Sequence, residues 1–120
     1  MMKVLFFVSA IFTSFDLVAN LKENLDQQIE LLMPKVIEWR HDIHQYPELG
    51  NREFRTSKKI EDHLVSLGIE VETKIAYTGL VGLIKGGKPG PTIALRADMD
   101  ALPVEEKTGL PFASKVRTTY

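Results

Sequence analysis

Apolar residues crowd together at the start of the chain and then space themselves out. Val4 to Phe15 is a mostly apolar run behind a short basic start at Lys3. From Leu21 to Tyr46 the apolar positions Leu25, Ile29, Leu32, Val36, Trp39 and Ile43 advance by four and three, the stripe of an amphipathic helix. Pro34 lies inside that stripe. It has no N–H to donate and its ring crowds the preceding turn, which predicts a break there and a helix from about Pro34 to Gln45. Tyr46-Pro47 ends it, because the residue before proline is biased away from helical geometry. Asn51 is placed to cap a second helix with Glu53 in its first turn. Phe54, Ile60, Leu64 and Leu67 then recur at roughly helical spacing up to Gly68, a C-terminal stop.

The period changes after Gly68. Ile69 to Ile75 alternates apolar and polar residues, as a half-buried strand does. Thr78-Gly79 marks a turn, Leu80 to Ile84 a second strand, and Gly86-Gly87-Lys88-Pro89-Gly90 a strong turn signal. Thr92 to Arg96 reads as a third strand, apolar enough for the centre of a sheet. Two helices followed by three strands predict an α/β layer. The chain shows no internal repeat, no low-complexity tract and no linker after residue 20.

Charge and cysteine content narrow the chemistry. Fifteen basic and sixteen acidic residues leave a formal net charge of -1, and the basic positions are scattered, so nothing points to nucleic acid or an anionic membrane surface as partner. There is no cysteine, so any metal held within these residues takes histidine or carboxylate. Val4 to Phe15 is shorter than the roughly 20 residues that span a bilayer. With Leu17-Val18-Ala19 as a peptidase site before Asn20, residues 1–19 read as a secretory signal, leaving 20–120 as the mature part. That reading places the protein in the periplasm or outside the cell, with no membrane association beyond export. The alternatives are an N-terminal anchor or a buried helix, and a cytoplasmic protein.

The candidate chemistry lies in Ile93-Ala94-Leu95-Arg96-Ala97-Asp98-Met99-Asp100-Ala101-Leu102-Pro103. In a locally extended chain, Asp98 and Asp100 point to the same side. Two such charges need a cation, a proton or solvent nearby, which suggests a metal or a metal-ligating histidine. Arg96 stands beside both and is placed to neutralise one. His41 and His44, three apart, share a helix face, but no third ligand lies at useful spacing, so capping or packing near the helix end is the better reading. Glu105-Glu106 reads as a solvated loop or helix start, and Glu48 as a tether formed by hydrogen bonds. The turn Gly86–Gly90 joins strands rather than opening a helix and so fails as a phosphate loop.

Two stretches carry a resemblance. They are Trp39-Arg40-His41-Asp42-Ile43-His44-Gln45-Tyr46-Pro47-Glu48-Leu49-Gly50, and Leu95 to Glu106 followed by Thr108-Gly109-Leu110-Pro111-Phe112. Together they resemble the N-terminal part of the metal-dependent amidohydrolases in the aminoacylase and carboxypeptidase metallopeptidase family. Its branch here includes hippurate hydrolase, N-acyl-L-amino-acid amidohydrolases and auxin-conjugate hydrolases. The likeness runs from about Leu31 to Tyr120.

The resemblance implies a two-domain enzyme, a homodimer at full length in the family manner, whose zinc-peptidase-like α/β domain is built on a mixed sheet and interrupted by a lid or dimerisation domain. Residues 20–120 would supply two helices and three strands of that domain, incomplete without downstream sequence. It further implies two divalent metal ions, zinc or manganese, and hydrolysis of amide bonds in N-acyl amino acids or peptide-like substrates, with a glutamate as general base. Where the wider family has a metal-binding histidine, this chain has Asp98, which leaves Asp98 a weak candidate for the metal. Asp100 matches the aspartate that orients a ligand histidine and is the one catalytic-site residue assigned here. The family's later Cys/His motif, glutamate pair and histidine ligands are not among these residues, so the chain alone is expected to be inactive and to bind no metal stably. The rival expectation is a small secreted α/β module, or a truncated non-catalytic product, with a weak divalent-cation site at Asp98 and Asp100.

Overall fold

The computed structural model describes residues 3–117, with side chains from Asn20 onward. Its elements are α1 (Lys3–Gln45), α2 (Phe54–Ser66), β1 (Glu70–Ile75) and β2 (Gly79–Leu83). Residues 1–40 and 41–120 are separate compact units. The side chains of the predicted export signal, residues 1–19, lie outside the described residues. Among the described residues, no helix is long and apolar enough to cross a membrane.

In the first unit the helix runs on through Pro34, so the predicted break does not occur. Proline removes one helical hydrogen bond, leaving the Glu30 carbonyl without its donor. Residues 20–38 are all exposed, so that carbonyl turns to water instead of being buried unpaired. Leu25, Ile29, Leu32 and Val36 are 52, 51, 56 and 48% exposed; this unit does not cover its own apolar stripe.

The second unit is organised around both ends of α2. Arg52 N–H donates to the Leu49 carbonyl at 2.9 Å, and Asn51 within that turn takes a left-handed φ of 63°. Asn51 is therefore a turn residue and not the predicted cap. Glu53 occupies the capping position without a side-chain cap bond, its carbonyl accepting the Ser57 N–H at 2.8 Å. The free N–H groups of Arg55 and Thr56 go instead to the carboxylate of Glu48, at 3.0 and 2.7 Å. An anion at this end also meets the positive pole of the helix dipole.

The other end of α2 closes as its glycine requires. Gly68 takes φ 74°; its N–H donates to the Val65 carbonyl at 2.9 Å, and Ile69 N–H reaches back to Leu64 at 3.1 Å. This pair of bonds is the Schellman closure. It turns the chain directly into β1.

β1 and β2 pair antiparallel, Glu70 opposite Leu83 through Ile75 opposite Gly79, with a bulge between Thr73 and Ile75. Lys74 in that bulge has φ 63°. The predicted alternation is present: Val71 and Thr73 are half-buried while Glu70, Glu72 and Lys74 are exposed. Ile75, beyond the bulge, has lost the phase and is exposed as well. The joint between helix and hairpin is polar. Thr78 Oγ1 donates to Glu53 Oε2 at 2.5 Å, and among the described residues Glu53, Thr56 and Thr78 are the buried ones.

The third strand does not form. Thr92–Arg96 pairs with no strand among the described residues, and Ile93 and Leu95 stand 82 and 96% exposed. Strand formation needs a neighbour's edge, and the Gly86–Gly90 turn does not bring this segment back beside β2. The α/β order stands, with two strands in place of three.

Candidate active-site loop

The loop that carries the two aspartates is anchored at the end of α1. Leu49 and Ala101 form a parallel bridge, and Ala101 N–H donates to the Glu48 carbonyl at 2.8 Å. Asp100 therefore sits one residue from a backbone anchor. A Cβ on Gly50 would lie 3.9 Å from Asp100 Oδ2, which places the carboxylate above a residue with no side chain. Asp100 stays exposed.

Asp98 is held differently. Arg96 donates to a single oxygen, Oδ1, from Nε at 3.1 Å and Nη2 at 2.8 Å. Arg96 thus pairs with Asp98 and not with Asp100. With side chains 89 and 67% exposed, this is a solvent ion pair worth about 0–1 kcal/mol.

Two charged clusters fix the surroundings. Asp42, near the end of α1, accepts from Arg55 Nη2 at 2.6 and 2.8 Å and from Lys59 Nζ. Arg55 and Lys59, four apart, share a face of α2. The hydrogen bond from Lys59, then that from Arg55, holds the Asp42 carboxyl below its ordinary range. Glu53 is likewise lowered, first by the Thr78 hydroxyl and further by backbone N–H groups.

The second cluster is centred on Glu106. Its carboxylate lies 3.0 Å from His44 Nε2 through both oxygens. It also accepts from Thr108 Oγ1 at 2.5 Å and from Ser114 N–H at 2.6 Å. With these partners, the Thr108 hydroxyl foremost, the carboxyl is lowered to about 2. The side chain is 12% exposed, so Glu106 is not the solvated loop residue that the sequence suggests. No local signal revealed this, because the partner on α1 lies 62 positions away. His41 and His44 do pack at the helix end. His41 stacks on Phe112 at 3.7 Å between ring centroids and 12° between planes, and His44 meets the same ring edge-on at 5.5 Å.

Asp100, His44, Leu49, Leu102 and Glu106 line one open groove of about 850 Å³. Among the described residues, no three His, Asp or Glu side chains converge to hold a metal ion. Asp98 and Asp100 bring two carboxylates without an imidazole or thiolate; oxygen donors suit manganese better than zinc, but two carboxylates do not by themselves complete a centre for either metal.

No family model matches the chain. It is 50% identical over 99 residues to thermostable carboxypeptidase 1 of Saccharolobus solfataricus, covering 82% of this chain and 25% of that protein. With N-acetyl-L-cysteine deacetylase of Bacillus subtilis it shares 44% identity over 103 residues, 86% of this chain and 25% of that one. With hippurate hydrolase of Campylobacter jejuni the figures are 46% over 92 residues, 77% and 24%. The chain thus spans about a quarter of the length of the curated relatives it matches. Among solved structures, a dinuclear metal-binding peptidase from Bacillus subtilis superposes with a TM-score of 0.67 at 45% identity, over 72% of this chain and 24% of that chain. By these relationships the chain belongs with the M20 family of metal-dependent amidohydrolases and peptidases, as the counterpart of about a quarter of their length.

Proposed function

We propose that this protein is a metal-dependent hydrolase of amide bonds in N-acyl amino acids or peptide-like substrates, and that residues 20–120 form the first part of its catalytic domain. The observation that carries this reading is the placement of Asp100. The carboxylate that matches the family's orienting aspartate stands on a loop pinned to Glu48 and Leu49, facing an open groove. The names of the relatives, a carboxypeptidase, a deacetylase and a hippurate hydrolase, share one bond type.

Two divalent metal ions, zinc or manganese, would supply Lewis acidity and a nucleophilic water. The described residues do not bring together the three ligands that would hold either ion. Within this chain, Asp100 accepts the N–H of a ligand imidazole and so fixes its tautomer and direction. Asp98 shapes the loop through Arg96. From the pattern of residues 1–19 we also propose export to the periplasm or beyond, and from the family resemblance a homodimer.

The test is hydrolysis of hippurate and N-acetyl amino acids by the natively expressed protein, with zinc and with manganese. Metal-dependent release of the amino acid supports the reading, and its absence with both metals overturns it. Asp100→Asn should lower metal affinity or activity by roughly 10–100-fold, with Asp98→Asn losing clearly less.

A further inference from the structure

The segment from Asp98 to Ser114 contains no helix and no strand beyond one bridge, yet it must hold Asp100 in one place. Ordering such a segment costs roughly 1–2 kcal/mol per residue in backbone entropy, so its fixed points matter. At the front stand the Leu49–Ala101 bridge and the Ala101 N–H bond to Glu48. At the back the loop meets α1 again, through Glu106 on His44 and Phe112 between His41 and His44. Glu106 also gathers the loop's own distal half. Oε1 takes the Thr108 hydroxyl and Oε2 the Ser114 N–H, so one carboxylate joins three points of the chain.

We propose that His44 and Glu106 are positioning residues, a clasp that closes the Asp98–Ser114 loop onto the last turns of α1 and so presets Asp100 in the groove. This rests on the hydrolase reading for its catalytic consequence. Its structural part stands apart from that reading. Asp100 and both clasp residues line the same groove, so opening the clasp moves the wall on which Asp100 stands. The histidine contributes twice, as donor from Nε2 to the carboxylate and as a ring edge against Phe112. The two contributions separate by substitution: His44→Phe keeps an aromatic ring and removes the donor, whereas His44→Gln restores an N–H donor without the ring.

Amide hydrogen exchange in the natively expressed protein reads the clasp without any assay of activity. In His44→Phe, amides of residues 99–114 should exchange about tenfold faster, as befits one lost hydrogen bond to a charged group, with residues 54–83 unchanged. kcat on hippurate should fall about tenfold with KM nearly constant, since Asp100 is misplaced and the substrate site is not removed. His44→Gln should recover most of both. Unchanged exchange over 99–114 in His44→Phe overturns the clasp. Equal acceleration over 54–83 overturns it too, by showing general destabilisation. A wild-type protein inactive with both metals overturns the hydrolase reading, while loop-restricted exchange in His44→Phe would still support the clasp.

Discussion

The carboxylate of Glu48 closes the N-terminus of α2 from eight residues upstream, Oε2 accepting the Thr56 N–H at 2.7 Å. The same residue's carbonyl holds Ala101, so one position serves the helix through its side chain and the aspartate loop through its backbone. Glu48→Ala removes only the first service. It should cost about 1–2 kcal/mol of stability, the range for loss of a helix cap. Glu48→Gln, which can still accept one bond, should cost less. Denaturant unfolding of the two variants beside wild type checks the order.

Glu106 predicts a pH dependence with a definite sign. Its folded carboxyl lies at about 2, below the ordinary 4.5. A depressed carboxylate stabilises the fold fully above the ordinary value and loses that contribution as pH falls toward the folded one. The stability difference between wild type and Glu106→Gln should therefore be full at pH 6, shrink between about 4.5 and 2, and be gone below 2. Unfolding curves of the two proteins compared at each pH check the sign and the window.

Asp42 joins α1 to α2 through Arg55 and Lys59. Asp42→Asn leaves two cations facing a neutral amide and should cost about 1 kcal/mol, near the top of the range for partly exposed pairs. The loss should shrink as salt is added, because screening weakens the wild-type pair. Melting temperatures of both proteins at low and high sodium chloride read this directly.

What was legible in the sequence was local. The α2 stripe, Gly68 and the alternation from Val71 to Thr73 each state their structure within a few residues, and the structure follows them. Pro34 misled because the cost of a missing N–H depends on whether the orphaned carbonyl is buried, which spacing does not report. Asn51 misled because the helix begins two residues later, with Glu53 at its capping position, where Glu48 reaches the free N–H groups of Arg55 and Thr56 from upstream. Thr92–Arg96 has the composition of a strand, but pairing is a relation with a second segment. In the aspartate loop, the spacing of Asp98 and Asp100 marks them even before the resemblance does, whereas Glu106 reads as a solvated loop or helix start. Its role depends on His44, which is remote in sequence and adjacent in space.

Gly79 and Gly82 sit three residues apart and should respond to alanine to clearly different degrees. A Cβ on Gly79 would stand 2.5 Å from the Ile75 carbonyl oxygen, and Ile75 is its partner across the hairpin. That oxygen is backbone, held by the bulge at Lys74 on one side and the turn at Ala76–Thr78 on the other. Relief requires the strands to part. A Cβ on Gly82 would instead meet Ile69 Cγ2 and Leu64 Cδ1, both at 3.2 Å. These are side-chain ends, able to give a few tenths of an ångström by rotation. Gly79→Ala should therefore destabilise by about 2 kcal/mol or more, and Gly82→Ala by less than about 1 kcal/mol. Thr78 sits next to Gly79 and bonds Glu53, so Gly79→Ala should also loosen the start of α2. Faster amide exchange at residues 54–57 in Gly79→Ala but not in Gly82→Ala would show it, and equal unfolding midpoints for the two variants would refute the steric argument.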